Sequence, residues 1–536
     1  MRVSTSQIYN IATLGMRQAQ AEVVKTEEQI ATGKRVLSPA DDPVAAANIL
    51  LLNQNIARTE QYKKNVDIAD NSLSLEETNL QSIVELMQRM RELGVKAGNT
   101  AVLTAADYQS LAAEVDTRIS ELINLQNTRN ASGQYIFAGY KGDTQPFVSN
   151  GGGNYTYMGD EGQLNLQASG SVSVAVSDSG KKLFVDIPSS HNTFITSASS
   201  TNRAAPAAVI SVGQVTDQEV FDAFYPEDMV ITFNSPSAVE DPTATPPVPA
   251  GPNYTITERS TGKVLLKPTP YVKGQEIEIN GVSLNITGNP SPPTPATLPF
   301  NFDAAAMPIP AGTSFKVSVN GRTETFTFNA AINSQTDFDN ELNDDTPVAP
   351  PALNNAQKLE RLGLTATTSG FTSASGANIR VHSGTAALDS AIGLSTSTGV
   401  TSTNGVAGDS FFIESTNKQG LLTTLSRFSD AMKNVKDTTE SKAELAEMVA
   451  KTITNLTNAE TTIVSVQGEI GARQNTLESA RDLNLDVILY SQQTLSSLED
   501  VDVAEATIRL SMQSLVLQAS QQGFAKVSQL TLFSYL

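Results

Sequence analysis

The chain contains no cysteine in 536 residues, which excludes disulfides and any thiolate-held zinc or iron–sulfur centre. It has two histidines, His191 and His382, far apart in sequence. That is poor material for a histidine metal site or for a Ser/His or Cys/His nucleophile pair. Charged residues make up 17%, against about a quarter in ordinary soluble domains. Their balance is one-sided, with a formal net charge of −20. Nucleic-acid affinity rests on Lys and Arg releasing counterions from phosphates, so DNA or RNA is not an expected partner. The opening MRVSTSQIYNIATLG has no apolar h-region, and no apolar run reaches the roughly eighteen residues of a membrane span. No membrane insertion is expected; the chain is either cytoplasmic or leaves by a route that cleaves no signal. Ser, Thr, Asn and Gln are plentiful, which suits packed, hydrogen-bonded surfaces.

Three zones follow one another. Residues 1–136 read as helix almost throughout. Ile8, Ala12, Ala19, Val23 and Ile30 share one helical stripe that stops at Gly33, a residue suited to a helix end. In SPADDPVAAANI, Asp42 can cap a new helix whose first position is Pro43. An acid/base or metal role for the Asp41, Asp42 pair is the weaker alternative. Val66, Leu73, Leu80 and Met87 recur every seventh residue, with Ala69, Ile83 and Met90 as the second row of a heptad seam. A third helix opens at Thr104 with Asp107 three residues on, and the helices stop near Gly133.

Residues 137–407 turn rich in Gly, Ser, Thr and Pro. EIEINGVSLNI and KVSVNGRTETFTF each place alternating apolar residues across an Asn-Gly pair, the strongest short hairpin signal. DPTATPPVPAGP and NPSPPTPATLP read as loops or linkers. The expected division is an outer β domain over 137–290 and an inserted second β domain over 291–407. Residues 408–536 are expected to be helical again. Leu456, Ile463, Ile470 and Leu477 keep a seven-residue interval, flanked by Ile453, Val466, Ala480 and Val487. The fold class is therefore α+β: both termini pair into an elongated antiparallel, coiled-coil-like bundle, a rod from which the central β domains project as insertions.

The last helix is apolar on two opposite sides. Ile508, Met512, Leu515, Ala519 and Leu530 form one row, and Leu510, Leu517 and Phe524 another about 200° away. A thin bundle covers only one such row. The expectation is that the Ile508 row packs within the subunit and that Leu510, Leu517 and Phe524 meet a neighbouring copy or a different subunit, in a ring or helical layer. The candidate assembly residues are thus Ile508, Leu510, Leu515, Leu517, Phe524 and Leu530, with Ile8 and Val23 from the first helix.

The runs GKRVLSPADDPVAAANILL, NVDIADNSLSLEETNLQSIVELMQRMRELGVKAGN and SGQYIFAGYKGDTQPF, with LEDVDVAEATIRLSMQSLVLQASQQGFAKVSQLTLFSYL at the end, resemble the bacterial flagellin superfamily. SGQYIFAG and the closing LFSYL favour its branch at the hook–filament junction over flagellin proper. The resemblance implies terminal helices lining the inside of the flagellar tube and β domains facing outward. It also implies a structural, non-enzymatic role without cofactors. Its implied partners are further copies of the chain, a hook-side junction protein, flagellin, an export chaperone and the flagellar type III export apparatus, with secretion to the extracellular flagellum. Within it LNITGNP and VAGDSFFIES look like the two sides of an inserted domain. GTSFKVSVNGRTETFTFNAAIN and GLTATTSGFTSASGANIRVHSG inside it resemble modules inserted into some flagellins and hook proteins.

Three alternatives stand beside this reading. The chain could be a flagellin-like filament subunit. It could be a surface adhesin or glycan-binding protein, through Tyr155, Tyr157, Phe224 and Tyr225, although alternating aromatics more often fill a small β core. The acidic loop Asp337, Asp339, Glu341, Asp344 and Asp345 has oxygens enough for Ca²⁺ but lacks the EF-hand spacing.

Overall fold

The computed structural model describes residues 5–239, 249–346, 352–402 and 405–529. They form two compact units. The first comprises 1–75, 164–176 and 469–536, and the second 76–163 and 177–468.

The helices are α1 (Thr5–Thr32), α2 (Pro43–Ala97), α3 (Ala105–Gln126), α4 (Gln218–Phe224), α5 (Gln335–Leu342), α6 (Asn355–Leu362), α7 (Ala386–Ile392), α8 (Leu421–Asn434), α9 (Thr439–Glu499) and α10 (Val503–Gln529). Local chemistry sets their starts. Asp42 Oδ1 accepts the Ala45 N–H at 2.9 Å, and Pro43 takes the first turn of α2, where a missing N–H costs nothing. Thr104 and Asp107 form a reciprocal capping box on α3. The left-handed Gly33 (φ +71°) ends α1.

In the first unit α2 and α9 run antiparallel. Arg481 donates to Asp67 Oδ1 at 3.0 Å, and Gln474 to Ser74 Oγ at 3.4 Å, so positions climb on one helix as they fall on the other. Between them Val66, Ala69 and Leu73 are buried with Ile470, Leu477 and Ala480. Val487, expected on that seam, is exposed. A short hairpin, Asn165–Gln167 with Ser173–Ala175, belongs to this unit although the sequence placed it in the outer β domain. Its carbonyls are held from the helices by Asn65 and Asn484.

In the second unit Leu80, Ile83, Met87 and Met90 of α2 and Leu456, Ile463 and Val466 of α9 are buried as an apolar seam. Arg91 reaches Thr457 at 3.4 Å and also pairs with Glu460. α3 adds Leu111, Val115, Ile119 and Leu122, and Arg89 of α2 bonds Glu114 at 2.8 Å. Helix stops at Gln126, earlier than expected. There the Asn127 side chain imitates a strand, donating to Phe147 O at 3.0 Å and accepting from Phe147 N at 2.9 Å, so the chain is drawn off the helix axis.

Two hydrophobic cores stand out among the described residues of the β region. A five-stranded antiparallel sheet, in the order 264–270, 253–258, 229–233, 410–418, 188–198, faces the hairpin 276–279/282–287 across Phe194, Phe221, Ile231, Phe233, Leu284 and Phe411. The strand Ser410–Lys418 lies inside the segment expected to be helical, and is one of the inner strands of this sheet. Its alternation buries Phe411 and Ile413 on one face, a period of two that no helix could use. The second core, over 296–400, packs Phe315, Phe326, Phe328, Phe338 and Phe371 between two sheets and α5, α6 and α7. Ala296–Pro299, read as loop from its prolines, is a strand on the edge of a three-stranded sheet, where proline is tolerated. Both Asn-Gly turns are present, with Asn280 and Gly281 at φ 47° and 74°, and Asn320 and Gly321 at 49° and 79°.

Candidate assembly surface

α1 and α10 pack along each other in the first unit. Tyr9 meets Phe524 edge to face at a centroid distance of 5.5 Å, and Thr26 donates to Gln513 Oε1 at 2.7 Å. The far end is closed by main-chain bonds from Arg35 N to Glu499 O (2.6 Å) and from Val501 N to Gly33 O (2.9 Å). Asp41 fixes the corner after α1. Its Oδ2 accepts the N–H groups of Leu37 (3.2 Å) and Ser38 (2.9 Å), and Oδ1 pairs with Lys25 at 2.5 Å. Lys25 and the Ser38 amide together hold the Asp41 carboxyl down at about 2. Asp41 and Asp42 are thus a corner clamp and a helix cap.

This pairing reverses the expected assignment of the two rows on α10. Leu510, Leu517 and Phe524, expected to face another subunit, are half-buried, and Phe524 lies against Tyr9 of α1. Ile508, Met512 and Leu515, expected to pack within the subunit, are 66%, 65% and 68% exposed. Val23 is buried in the pair. The reason is where α1 lies: a helical wheel separates two rows but does not say which side a partner takes. The Ile8 side chain and the whole of Leu530 lie outside the described residues.

Sequence reasoning missed most of the remaining apolar surface of the first unit. Ile11, Leu14 and Val24 on α1, Leu50 and Leu51 on α2, and Leu483, Leu489 and Tyr490 on α9 are all exposed. The signal was available in LNLDVILY, which is apolar at too many consecutive turns for one seam. Each such side chain is worth about 1.5–3 kcal/mol when fully buried, and contiguous exposed apolar surface of this kind is a candidate interface.

The other candidates have structural duties. Ser334 caps α5 with Asp337 in its first turn, Glu341 accepts the N–H groups of Asn329 (2.9 Å) and Ala330 (3.1 Å), and Asp344 binds Thr346 N at 3.0 Å. Among the described residues no group of three or more His, Cys, Asp or Glu is placed to hold a metal ion. The Tyr157 hydroxyl donates to main-chain oxygens of Phe137 and Asp160. Tyr155 and Tyr157 line a half-open cavity of about 610 Å³, with Phe147, Phe184 and Ile195 also among its walls. Phe224 and Tyr225 end α4, and Phe224 packs against the first β core. His382 Nε2 does meet Ser318 Oγ at 2.8 Å, but across two paired strands and with Ser383 Oγ, not a carboxylate, at its other nitrogen. That lacks the orienting acid of a nucleophilic triad.

Arg427 on α8 is a functional-looking residue without a sequence signal. It is fully buried, and all five guanidinium N–H groups find neutral acceptors: Gly213 O, Thr193 Oγ1, Gln419 Oε1, Phe194 O and Val212 O, at 2.6 to 3.2 Å. Burial pushes its pKa down to about 10, and the group stays charged at neutral pH. It bolts α8 to the first β core.

The class the fold defines is an α+β chain whose terminal helices pair and keep exposed apolar faces, with β domains between them in sequence. Residues 3–142 match the family model of the bacterial flagellin N-terminal helical region, to which the chain is similar over that stretch. More particularly, it is 38% identical over 189 residues to flagellar hook-associated protein 3 of Escherichia coli (strain K12), which covers 35% of this chain and 58% of that protein. It is 36% identical over 189 residues, with the same shares, to flagellar hook-associated protein 3 of Salmonella typhimurium. The chain thus spans somewhat over half the length of these curated relatives. A solved structure of flagellar hook-associated protein 3 from Legionella pneumophila aligns with 22% identity and a TM-score of 0.41, covering 84% of this chain and 98% of that one.

Proposed function

We propose that this chain is a structural component of the bacterial flagellum that forms the layer between hook and filament and seats the first flagellin subunits. The observation that carries the reading is the similarity to flagellar hook-associated protein 3 over 189 residues. The exposed apolar faces of α1, α2, α9 and α10 support it as surfaces that a layer of copies would cover. In this reading the row Ile508, Met512 and Leu515 meets a neighbouring copy, a hook-side junction protein or flagellin. Leu510, Leu517 and Phe524 hold α10 to α1 so that the row is presented. The chain reaches the extracellular flagellum through the flagellar type III apparatus with an export chaperone, and its role is structural, without catalysis or cofactor.

The flagellin-type match over 3–142 favours one second reading, a filament subunit. Immunogold labelling against the inserted domain separates the two. Gold confined to a band where hook meets filament is the expected result; gold along the whole filament would replace the junction reading with the second one.

A further inference from the structure

The inserted domain over 296–400 is joined to the first β core at its root. Thr294 and Val406 exchange main-chain bonds, Thr294 N to Val406 O at 2.9 Å and Val406 N to Thr294 O at 3.1 Å. Just outside, the buried carboxylate of Asp409 accepts the N–H groups of Arg203 (2.7 Å), Ser291 (2.8 Å) and Ala204 (3.3 Å), stapling both connecting strands to the first β core. Beside it Ser235 N donates to Ala374 O at 3.0 Å and Gly408 N to Ser375 O at 3.1 Å, so the root is one small cluster of main-chain bonds, a natural pivot. On its own it would leave a domain of this size free to swing.

A second attachment lies elsewhere on the domain. The turn at 259–262, between the strands Asn253–Glu258 and Val264–Pro270 of the first β core, turns two carbonyl groups toward the inserted domain. Arg322, on the strand Arg322–Thr327, donates from Nη2 to Arg259 O at 3.2 Å. Arg361, on α6, donates from both Nε (3.1 Å) and Nη2 (2.8 Å) to Thr261 O. The two arginines are themselves braced. Arg322 Nη1 reaches Arg361 O at 3.4 Å, and Glu324 pairs with Arg361 at 3.2 Å. Gly262 makes the fit: it sits at φ +72°, and a Cβ there would fall 1.5 Å from Arg322 Nη1. The turn is held from beneath as well, by Arg259 N to Asp228 O at 2.8 Å and by Arg259 Nη1 to Glu414 at 2.7 Å.

We propose that the turn 259–262 is a socket into which Arg322 and Arg361 latch the inserted domain, so that it is held at two points and moves with the first β core as one lever. Two planar, multi-donor guanidinium groups on carbonyl oxygens fix orientation as well as distance, which a single lysine ammonium would not do. Because both guanidinium groups end on main-chain carbonyls, the socket is formed by backbone shape as much as by charge, and Lys267 adds a looser pairing with Glu360 at 3.7 Å beside it.

The test uses the full chain, whose lack of cysteine lets spin labels be placed without ambiguity at Val272→Cys in the first β region and Lys316→Cys in the inserted domain, both exposed positions. The expected result is one narrow distance distribution that becomes at least twofold wider when Arg322→Ala and Arg361→Ala are added. Arg322→Ala alone, which leaves the Arg361–Glu324 pair in place, is expected to widen it part of the way. That variant guards against loss of the domain's own fold, as does an unchanged thermal transition. A distribution already broad in the parent, or one that the folded arginine variants leave unchanged, would overturn the latch.

Discussion

Asn65 on α2 and Asn484 on α9 donate their side-chain amides to carbonyl oxygens of successive residues, Gln167 at 2.9 Å and Ala168 at 2.8 Å. Two helices of the first unit therefore share one grip on the short hairpin at 165–175. Asn484 is buried while Asn65 is only half-buried, so the two bonds are unequal. Replacing Asn484 by Ala is expected to cost about 1–2 kcal/mol, because the Ala168 carbonyl is left without its partner, and Asn65→Ala less than half of that. Amide exchange in 164–176, measured for both variants, checks the order: Asn484→Ala should accelerate it more.

Arg427 gives a sharper expectation. Five neutral acceptors surround one guanidinium, and neither a shorter set of donors nor an apolar chain can satisfy them. Arg427→Met should destabilise the second unit by about 3 kcal/mol or more, and Arg427→Lys should restore only a minor part, since an ammonium has three donors and no fork. Urea unfolding of the two variants reads this directly; full rescue by lysine would show that charge, not the five-bond geometry, is what matters.

The corner after α1 carries a pH dependence of known sign. The Asp41 carboxyl is held down at about 2 by Lys25 and the Ser38 amide, whereas an unfolded Asp titrates near 3.9. A depressed acid stabilises the folded state above the unfolded value and loses that contribution as pH falls through the folded one. Order at residues 33–42 should therefore be flat from pH 7 to about 4 and decline between about 4 and 2. Carboxyl NMR should place the Asp41 midpoint near 2, and Asp41→Asn should abolish the titration.

The reversed rows on α10 are separable by mutation. Ile508→Asp with Met512→Asp acts on exposed side chains. It is expected to leave helix content and melting unchanged while reducing filament-bearing cells at least about tenfold, the effect of a loss of roughly 1.4 kcal/mol per contact. Leu517→Asp, on the row that faces α1, should instead lower the stability of the α1–α10 pair. Circular dichroism melts beside filament counts distinguish the two; the opposite pattern would return the inward role to the Ile508 row.

Much of this architecture could be read from residues in order, where the governing interaction is local. Asn280-Gly281 and Asn320-Gly321 need left-handed backbone and little else, and Thr104 with Asp107, or Asp42 with Pro43, carry their helix starts within four residues. The heptads from Val66 to Met90 survive because a two-helix seam has one period. What could not be read depends on partners distant in sequence. Which row of α10 turns inward is decided by Tyr9, and the strand at 410–418 finds its neighbours at 229–233 and 188–198. The buried Arg427 is matched only by carbonyls that the fold brings together, and the proline-bearing strand at 296–299 is permitted by its edge position.

The central claim is that this chain joins hook to filament, and electron microscopy of cells lacking its gene, with flagellin assayed in the medium, addresses it most directly. The account predicts hooks without filaments and flagellin monomers released outside, because export continues with nothing for subunits to seat upon. Intact filaments on those cells would contradict it.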